Sequence, residues 1–242
     1  MTRKHILTLC VVAGLVIAMT LKLTSHAPVT AQSPATPDQA LAQLKDGNLR
    51  YVRGVSMHPR QDQIRRTETV KNGQHPLATV VGCSDSREPL EIIFDQGVGD
   101  LFVVRVAGNV GGTDEVASIE YGTEHLSTPI VLVLGHTKCG AVTATVQKAA
   151  VEGSIPALIN QIAPAVDQAR AADPKATGDA LVEKAIRANV HKTMADLFQK
   201  SQIVRHLVAE GKLKVVGGVY DLDSASIEWL GEHPDQAKFL AH

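Results

Sequence analysis

Three short apolar segments constrain the fold of this 242-residue chain more than any other feature. They cover residues 77–82, 101–106 and 130–135, and each is rich in β-branched residues and lacks alternating polar positions. Strands of that composition are buried on both faces, as in a parallel sheet that is covered by helices. A fourth apolar segment, residues 213–220, lies near the end of the chain. The chain is therefore predicted to contain a mostly parallel sheet.

Helical patterns separate these predicted strands. A helix with one apolar stripe is expected to begin at Pro37 and to end at Gly54, and another is expected over residues 113–126. Between residues 156 and 212 the pattern is again helical, and apolar residues recur every three or four positions from Val182 to Phe198. Strands that alternate with helices predict an α/β fold, with a mostly parallel central sheet flanked by helices and an N-terminal helical arm.

Residues 1–31 have the layout of a secretory signal peptide. Arg3 and Lys4 precede an apolar stretch over residues 6–21, and the small-residue tripeptide Val-Thr-Ala ends at Ala31. We predict cleavage after Ala31, so that residues 32–242 form a single exported domain, most simply in the periplasm. An uncleaved membrane anchor is the alternative, although the apolar stretch is short for a span of about 20 residues.

Overall charge excludes one broad class of partner. The chain has 24 basic and 25 acidic side chains, and no basic cluster of the kind that binds nucleic acid is evident. After signal cleavage, no membrane partner is expected either. A small-molecule ligand is the more natural partner for such a domain.

Polar side chains that can bind a metal follow two of the predicted strands directly. Residues 83–87 read Cys-Ser-Asp-Ser-Arg after the first strand, and residues 136–140 read His-Thr-Lys-Cys-Gly after the third. Ligands of open α/β sheets bind beyond the carboxyl ends of the strands. If these two strands are neighbours, Cys83, His136 and Cys139 converge. Two cysteines and one histidine are a ligand set of catalytic zinc, with one position left for water.

Two cysteines also permit other chemistry. Signal cleavage would remove Cys10, and the two remaining cysteines of an exported protein commonly form a disulfide. A disulfide would leave His136, Asp85 and Arg87 without a role, whereas a structural zinc ion would need a fourth protein ligand. A cysteine nucleophile paired with histidine is a further alternative. The residues by themselves favour catalytic zinc over the disulfide and leave both open.

The two motifs together resemble those of the β-class carbonic anhydrases. Cys-x-Asp-x-Arg is followed about fifty residues later by His-x-x-Cys, and residues 44–50, 102–109, 118–121 and 217–221 are also similar to family segments. The resemblance implies one Zn²⁺ per subunit, bound by Cys83, His136 and Cys139. It further implies a catalytic dyad of Asp85 and Arg87, and a substrate pocket that includes Gln74, Phe102 and Tyr121.

The same resemblance implies the reaction and the assembly. Members of the family are zinc lyases that reversibly hydrate carbon dioxide to bicarbonate and a proton, by attack of zinc-bound hydroxide on the substrate. They form homodimers or higher even homo-oligomers. Val80 occupies the position three residues before Cys83 where family members with a bicarbonate-inhibited closed form have tryptophan. Together with Gln74, this difference favours the type whose metal site stays open.

Overall fold

The computed structural model describes residues 36–241. The predicted signal peptide at residues 1–31 lies outside the described residues, so the signal and its cleavage site stay predictions. In the described part of the chain, no helix combines the length and the apolar character that a membrane span requires.

Helices and strands alternate along the described chain, as the sequence patterns indicate. In chain order the elements are α1 (Pro37–Val52), α2 (Gln63–Asn72), β1 (Ala78–Gly82), α3 (Leu90–Ile93), β2 (Leu101–Arg105), α4 (Thr113–Glu120), β3 (Ile130–His136), α5 (Gly140–Val146), α6 (Ile155–Ala172), α7 (Gly178–Lys200), α8 (Gln202–Ala209), β4 (Lys214–Tyr220), β5 (Ile227–Gly231) and α9 (Gln236–Leu240). A 3₁₀ turn covers Ala107–Asn109, and a π-helix covers Tyr121–His125.

The sheet has five strands in the order β2-β1-β3-β4-β5. Strands β1 to β4 pair in parallel, and β5 pairs with β4 in the antiparallel direction. Every residue of β1 and β3 is buried, as expected for strands covered on both faces. The predicted mostly parallel α/β fold is confirmed, whereas the antiparallel edge strand β5 was not predicted.

The helices predicted from the sequence are present, with one difference near residue 121, whereas α2, α3, α5 and α9 were not predicted. Helix α1 begins at Pro37, where the Thr36 hydroxyl accepts a hydrogen bond from the Gln39 backbone and the Gln39 side chain accepts one from the Thr36 backbone. The helix predicted over residues 113–126 is α-helical only to Glu120 and continues as the π-helix. In that turn the Leu126 N–H donates to the carbonyl of Tyr121, five residues earlier.

A hydrophobic core covers each face of the sheet. On one face, α7 contributes Met194 and Phe198, and the apolar stripe that the sequence predicts on this helix is buried there. On the other face, α1 and α3 contribute Leu44 and Leu90, and Phe94 follows at the end of α3. The sheet is thus fixed between helices, and the carboxyl ends of β1 and β3 are held side by side.

The C-terminal segment packs on α7 through aromatic side chains. His191 of α7 lies edge-on to His233 with 5.5 Å between ring centroids, and Phe239 of α9 stacks on Phe198 at 5.6 Å. Burial lowers the pKa of His191. Burial and the nearby His191 lower the pKa of His233, and Asp235 partly opposes this. Both imidazoles therefore resist protonation in the folded protein.

We expect His191→Phe to make folding stability less sensitive to acid. Because the pKa of His191 is lower in the folded state, the unfolded state takes up a proton first as the pH falls below about 6.5, and stability is lost. Phenylalanine cannot be protonated, so between pH 7.5 and 5.0 the free energy of unfolding should fall less in the variant than in wild type. Urea unfolding at both pH values measures the difference. The exposed His75→Phe variant is the control, and equal pH dependence of wild type and His191→Phe would contradict the prediction.

Candidate metal centre

Strands β1 and β3 place the two polar motifs at one edge of the sheet. They are parallel neighbours with Val81 paired to Val133, so the residues that follow them leave the sheet side by side. Cys83, His136 and Cys139 are all buried, and their potential ligand atoms all lie within 4.8 Å of one another. The convergence of these three residues, expected from the sequence, is present in the fold.

The two cysteines are not joined. Cys83 and Cys139 are both free thiols, with 4% and 1% of their surface exposed. A disulfide, which the sequence left open, is therefore not what the structure contains. Free thiols beside an imidazole can ionise and act as metal ligands.

The imidazole of His136 is oriented for ligation through Nε2. Its Nδ1 lies 2.9 Å from the carbonyl oxygen of Thr137, which fixes the Nδ1–H tautomer. Nε2 is buried and has no hydrogen-bond partner among residues 36–241. A buried ring nitrogen without a partner costs about 1–3 kcal/mol, and a metal ion would satisfy it. Two sulfurs and this nitrogen fit zinc, which in catalytic sites takes three protein ligands and keeps a fourth position for water.

The thiols differ in their ease of ionisation. The pKa of Cys83 lies far below its ordinary value, mainly because Cys139 donates a hydrogen bond to its sulfur. Burial opposes this shift, whereas His136 and the Gly108 N–H add to it. The Gly108 nitrogen lies 3.2 Å from Cys83 Sγ. The negative sulfur of Cys83 and burial raise the pKa of Cys139. The two thiols therefore share one proton readily, and a bound divalent cation would displace that proton.

Asp85 and Arg87 form a two-bond ion pair at the rim of this cluster. Arg87 Nε donates to Asp85 Oδ1 at 2.9 Å, and Arg87 Nη2 donates to Asp85 Oδ2 at 2.7 Å. These hydrogen bonds hold the pKa of Asp85 well below its usual range, so the carboxylate is charged. Asp85 Oδ2 also lies 3.8 Å from His136 Nε2. A negative oxygen therefore faces the ligand atoms.

Comparison with known proteins identifies the family. A family model described as carbonic anhydrase matches residues 78–227, which include both motifs. A carbonic anhydrase of Mycolicibacterium smegmatis is 38% identical over 199 residues, which cover 80% of this chain and 93% of that protein. Carbonic anhydrase 2 of Mycobacterium tuberculosis is 40% identical over 192 residues, which cover 77% and 89%. The chain belongs to the carbonic anhydrase family.

Solved structures assign the class. A β-carbonic anhydrase of Aspergillus fumigatus superposes with a TM-score of 0.66 at 27% identity, covering 84% of this chain and 96% of that one. A tetrameric β-carbonic anhydrase of Sordaria macrospora gives 0.63 at 25% identity, covering 70% and 87%. The resemblance to the β class is confirmed, and this β-carbonic anhydrase is a lyase, a carbonate dehydratase.

Of the three predicted pocket residues of this β-carbonic anhydrase, Phe102 packs against the hydrophobic cluster that contains Cys83 and Cys139. Gln74 is exposed in the loop before β1. Phe102 of β2 is half-buried, and its ring centroid lies 5.9 Å from that of Tyr121, which is 49% exposed. Over residues 36–241, no hydrogen bond links these three side chains to the cysteines or to His136. Their role in substrate binding stays a prediction.

The side chains of Glu88 and Arg105 hold the turn that carries Cys83 and Asp85. Glu88 has no exposed surface, and its Oε2 accepts a hydrogen bond from the Cys83 N–H at 2.8 Å. Burial raises the pKa of Glu88 to about 8. From the other side, Arg105 donates to the carbonyl of Cys83 at 2.7 Å and to that of Asp85 at 2.6 Å. The orientation of the turn in this carbonic anhydrase thus depends on residues beyond the motif.

Glu88 is not recognisable from the sequence as a residue of the site. A glutamate that directly follows an exposed polar motif resembles a solvated charge. The only available signal was its position between Arg87 and the apolar run that begins at Leu90, where a helix covers the end of β1. Its burial is a consequence of how α3 packs.

Proposed function

We propose that this protein is a zinc-dependent carbonic anhydrase in which Cys83, His136 and Cys139 bind one zinc ion per subunit. The observation that carries the proposal is the buried convergence of two free thiols and an unpartnered imidazole nitrogen within 4.8 Å. When bound, zinc supplies a strong nucleophile near neutral pH, because it lowers the pKa of a coordinated water from about 15.7 to about 7 in carbonic anhydrases with three histidine ligands.

Asp85 and Arg87 would orient the reaction. Asp85 stays ionised because Arg87 donates two hydrogen bonds to it. Its Oδ2, on the side that faces the cluster, would accept a hydrogen bond from the attacking water and direct an oxygen lone pair toward carbon dioxide. Among residues 36–241, the Arg87 side chain donates to Asp85 and to the carbonyl of Lys138 and makes no hydrogen bond to Cys83, His136 or Cys139, so it would act by aiming Asp85.

The substrate pocket and the assembly belong to the same proposal. Gln74, Phe102 and Tyr121 would line the pocket for carbon dioxide and bicarbonate. Gln74 and Tyr121 are exposed on one chain, which suits a site completed by a neighbouring subunit. A homodimer or a higher even homo-oligomer fits this arrangement, and the solved relative from Sordaria macrospora is described as tetrameric. Light scattering of the purified protein tests it, and a monomer at micromolar concentration would contradict it.

We propose further that the protein is exported to the periplasm after removal of residues 1–31. The support is the order of basic, apolar and small residues in that segment. Mass spectrometry of the N-terminus in fractionated cells tests the proposal. A soluble periplasmic chain that begins at Gln32 is expected, whereas an intact N-terminus in the membrane fraction would favour the anchor.

Metal analysis and stopped-flow hydration of carbon dioxide test the catalytic proposal directly. About one zinc ion per chain and hydration well above the buffer rate are expected. The rate should rise with pH to an alkaline plateau with a midpoint above about 7, because two thiolates offset the charge of the ion and make its water less acidic than three imidazoles would. Absence of zinc, absence of hydration, or a rate that is already flat at pH 6 would contradict the proposal.

A further inference from the structure

Helix α7 carries a row of polar side chains on its otherwise apolar buried face. Asn189 and Thr193 are each 1% exposed, and Lys200, which is exposed, follows two turns later at the end of the helix. Positions 189, 193 and 200 fall on one side of a helix with 3.6 residues per turn. All three donate hydrogen bonds to backbone carbonyl groups of a single loop, residues 107–111.

The contacts run in order along the helix and the loop. Asn189 Nδ2 donates to the carbonyl oxygen of Gly108 at 2.7 Å, and Thr193 Oγ1 donates to that of Asn109 at 3.0 Å. Lys200 Nζ donates to the carbonyl oxygen of Gly111 at 2.5 Å. The loop is therefore attached to α7 at three carbonyl groups.

The same loop contacts the metal centre through Gly108. Its N–H donates to Cys83 Sγ at 3.2 Å, while its carbonyl oxygen accepts from Asn189. Gly108 has φ of 73°, a backbone conformation that residues other than glycine rarely adopt. A Cβ at this position would lie 2.6 Å from Ile162 Cδ1. One residue thus links the helix to the sulfur, and its backbone has little freedom to move.

Asn189 is not explained by packing. Its Oδ1 has no hydrogen-bond partner among the described residues, and an unsatisfied buried amide oxygen costs about 1–3 kcal/mol. An apolar residue of similar shape would avoid that cost. The remaining interaction of its amide is the hydrogen bond to Gly108, which points to a role in fixing the loop.

We propose that Asn189 is a positioning residue of the metal centre, which holds Gly108 so that the Gly108 N–H donates to the Cys83 thiolate. The inference rests on the zinc site proposed above. Hydrogen bonds to a ligating group fix its direction and withdraw electron density from it, and loss of such partners typically costs about 10–100-fold in metal affinity or activity. Removal of the Asn189 amide would therefore weaken metal binding without touching a ligand.

The test compares Asn189→Leu with Thr193→Val. The first removes the bond to Gly108, and the second removes the equivalent bond to the adjacent carbonyl one helical turn away. Zinc dissociation constants come from competition with a chelator, and the thiolate-to-metal charge-transfer band is recorded on the cobalt(II)-substituted protein. Asn189→Leu should weaken zinc binding about tenfold, because the sulfur loses the hydrogen bond that fixes its direction. The band should move to longer wavelength, because a thiolate without that hydrogen bond is a better electron donor. Thr193→Val should leave the band in place.

Two results would overturn the inference. One is an Asn189→Leu protein with the wild-type band and dissociation constant, and the other is an equal change in both variants, which would indicate general loosening of the loop. Asn189→Ala removes the same amide without adding volume and replaces the leucine variant if that does not fold. Failure of the zinc proposal has a different signature, because wild type would then bind no stoichiometric zinc or cobalt.

Discussion

Replacement of Cys83 by serine should abolish both stoichiometric zinc binding and the hydration of carbon dioxide. Serine keeps the size of the side chain but is not ionised at neutral pH, so the cluster loses a thiolate ligand. Loss of a residue that only hydrogen-bonds to a metal ligand already lowers metal affinity or activity by up to about 100-fold. We therefore expect the loss of a ligand to lower hydration by more than about 100-fold. Metal analysis and stopped-flow assays on the same preparation measure the two effects together.

Ser84→Ala is the matched control for the Cys83 variant. Ser84 is the next residue, is exposed, and should tolerate the change with near wild-type zinc content and rate. Urea unfolding verifies that Cys83→Ser is folded when its metal content is measured. A folded Cys83→Ser protein that retains one zinc ion and the wild-type rate would show that Cys83 is not a zinc ligand and would contradict the proposed metal centre.

Asp85→Ala should lower kcat/KM about 100-fold while zinc content stays near one per chain. The carboxylate contributes orientation and not metal ligation, and misplacement of a reacting group by about 1 Å costs a factor of that order. Arg87→Ala should cause a similar loss, because Asp85 is then free to turn away from the position that faces His136. Stopped-flow rates and metal analysis of both variants measure the effect.

The double variant Asp85→Ala/Arg87→Ala tests whether Arg87 acts through Asp85. If Arg87 acts only through Asp85, the double variant should be no slower than Asp85→Ala alone. Asp223→Ala is the control, because Asp223 forms an exposed ion pair with Lys138 at 2.7 Å and such pairs contribute little. Full activity of Asp85→Ala, or multiplicative losses in the double variant, would show that the pair does not work as proposed.

The convergence at the metal centre connects both predictions to the fold. Cys83 follows β1 and His136 is the last residue of β3, its parallel neighbour, so a single sheet edge presents residues that are 53 positions apart in the chain. Rigid strands under helices hold such residues more accurately than loops do. The turn from Cys83 to Arg87 is additionally held by Glu88 and Arg105. Activity should therefore be sensitive to residues that contact no substrate.

The amino-acid sequence is sufficient to predict the four parallel strands, because β1, β2, β3 and β4 are short apolar runs whose composition suits burial on both faces. It also determined where the chemistry lies, since polar motifs directly after such strands must emerge at the carboxyl edge. Strand β5 was missed because Ile227–Gly231 is only partly buried and has no clear apolar run. Its place depends on pairing with β4, which is a long-range contact.

The folded chain was needed to learn which of these side chains meet and which polar residues become buried. The free state of Cys83 and Cys139, the unpartnered nitrogen of His136 and the burial of Glu88 all follow from packing between distant segments. Asn189 lies in a helical stripe that the sequence marks as core, and its bond to Gly108 joins residues 81 positions apart. Periodicity indicates the buried face of a helix, whereas the partner of a buried polar atom depends on where the rest of the chain has folded.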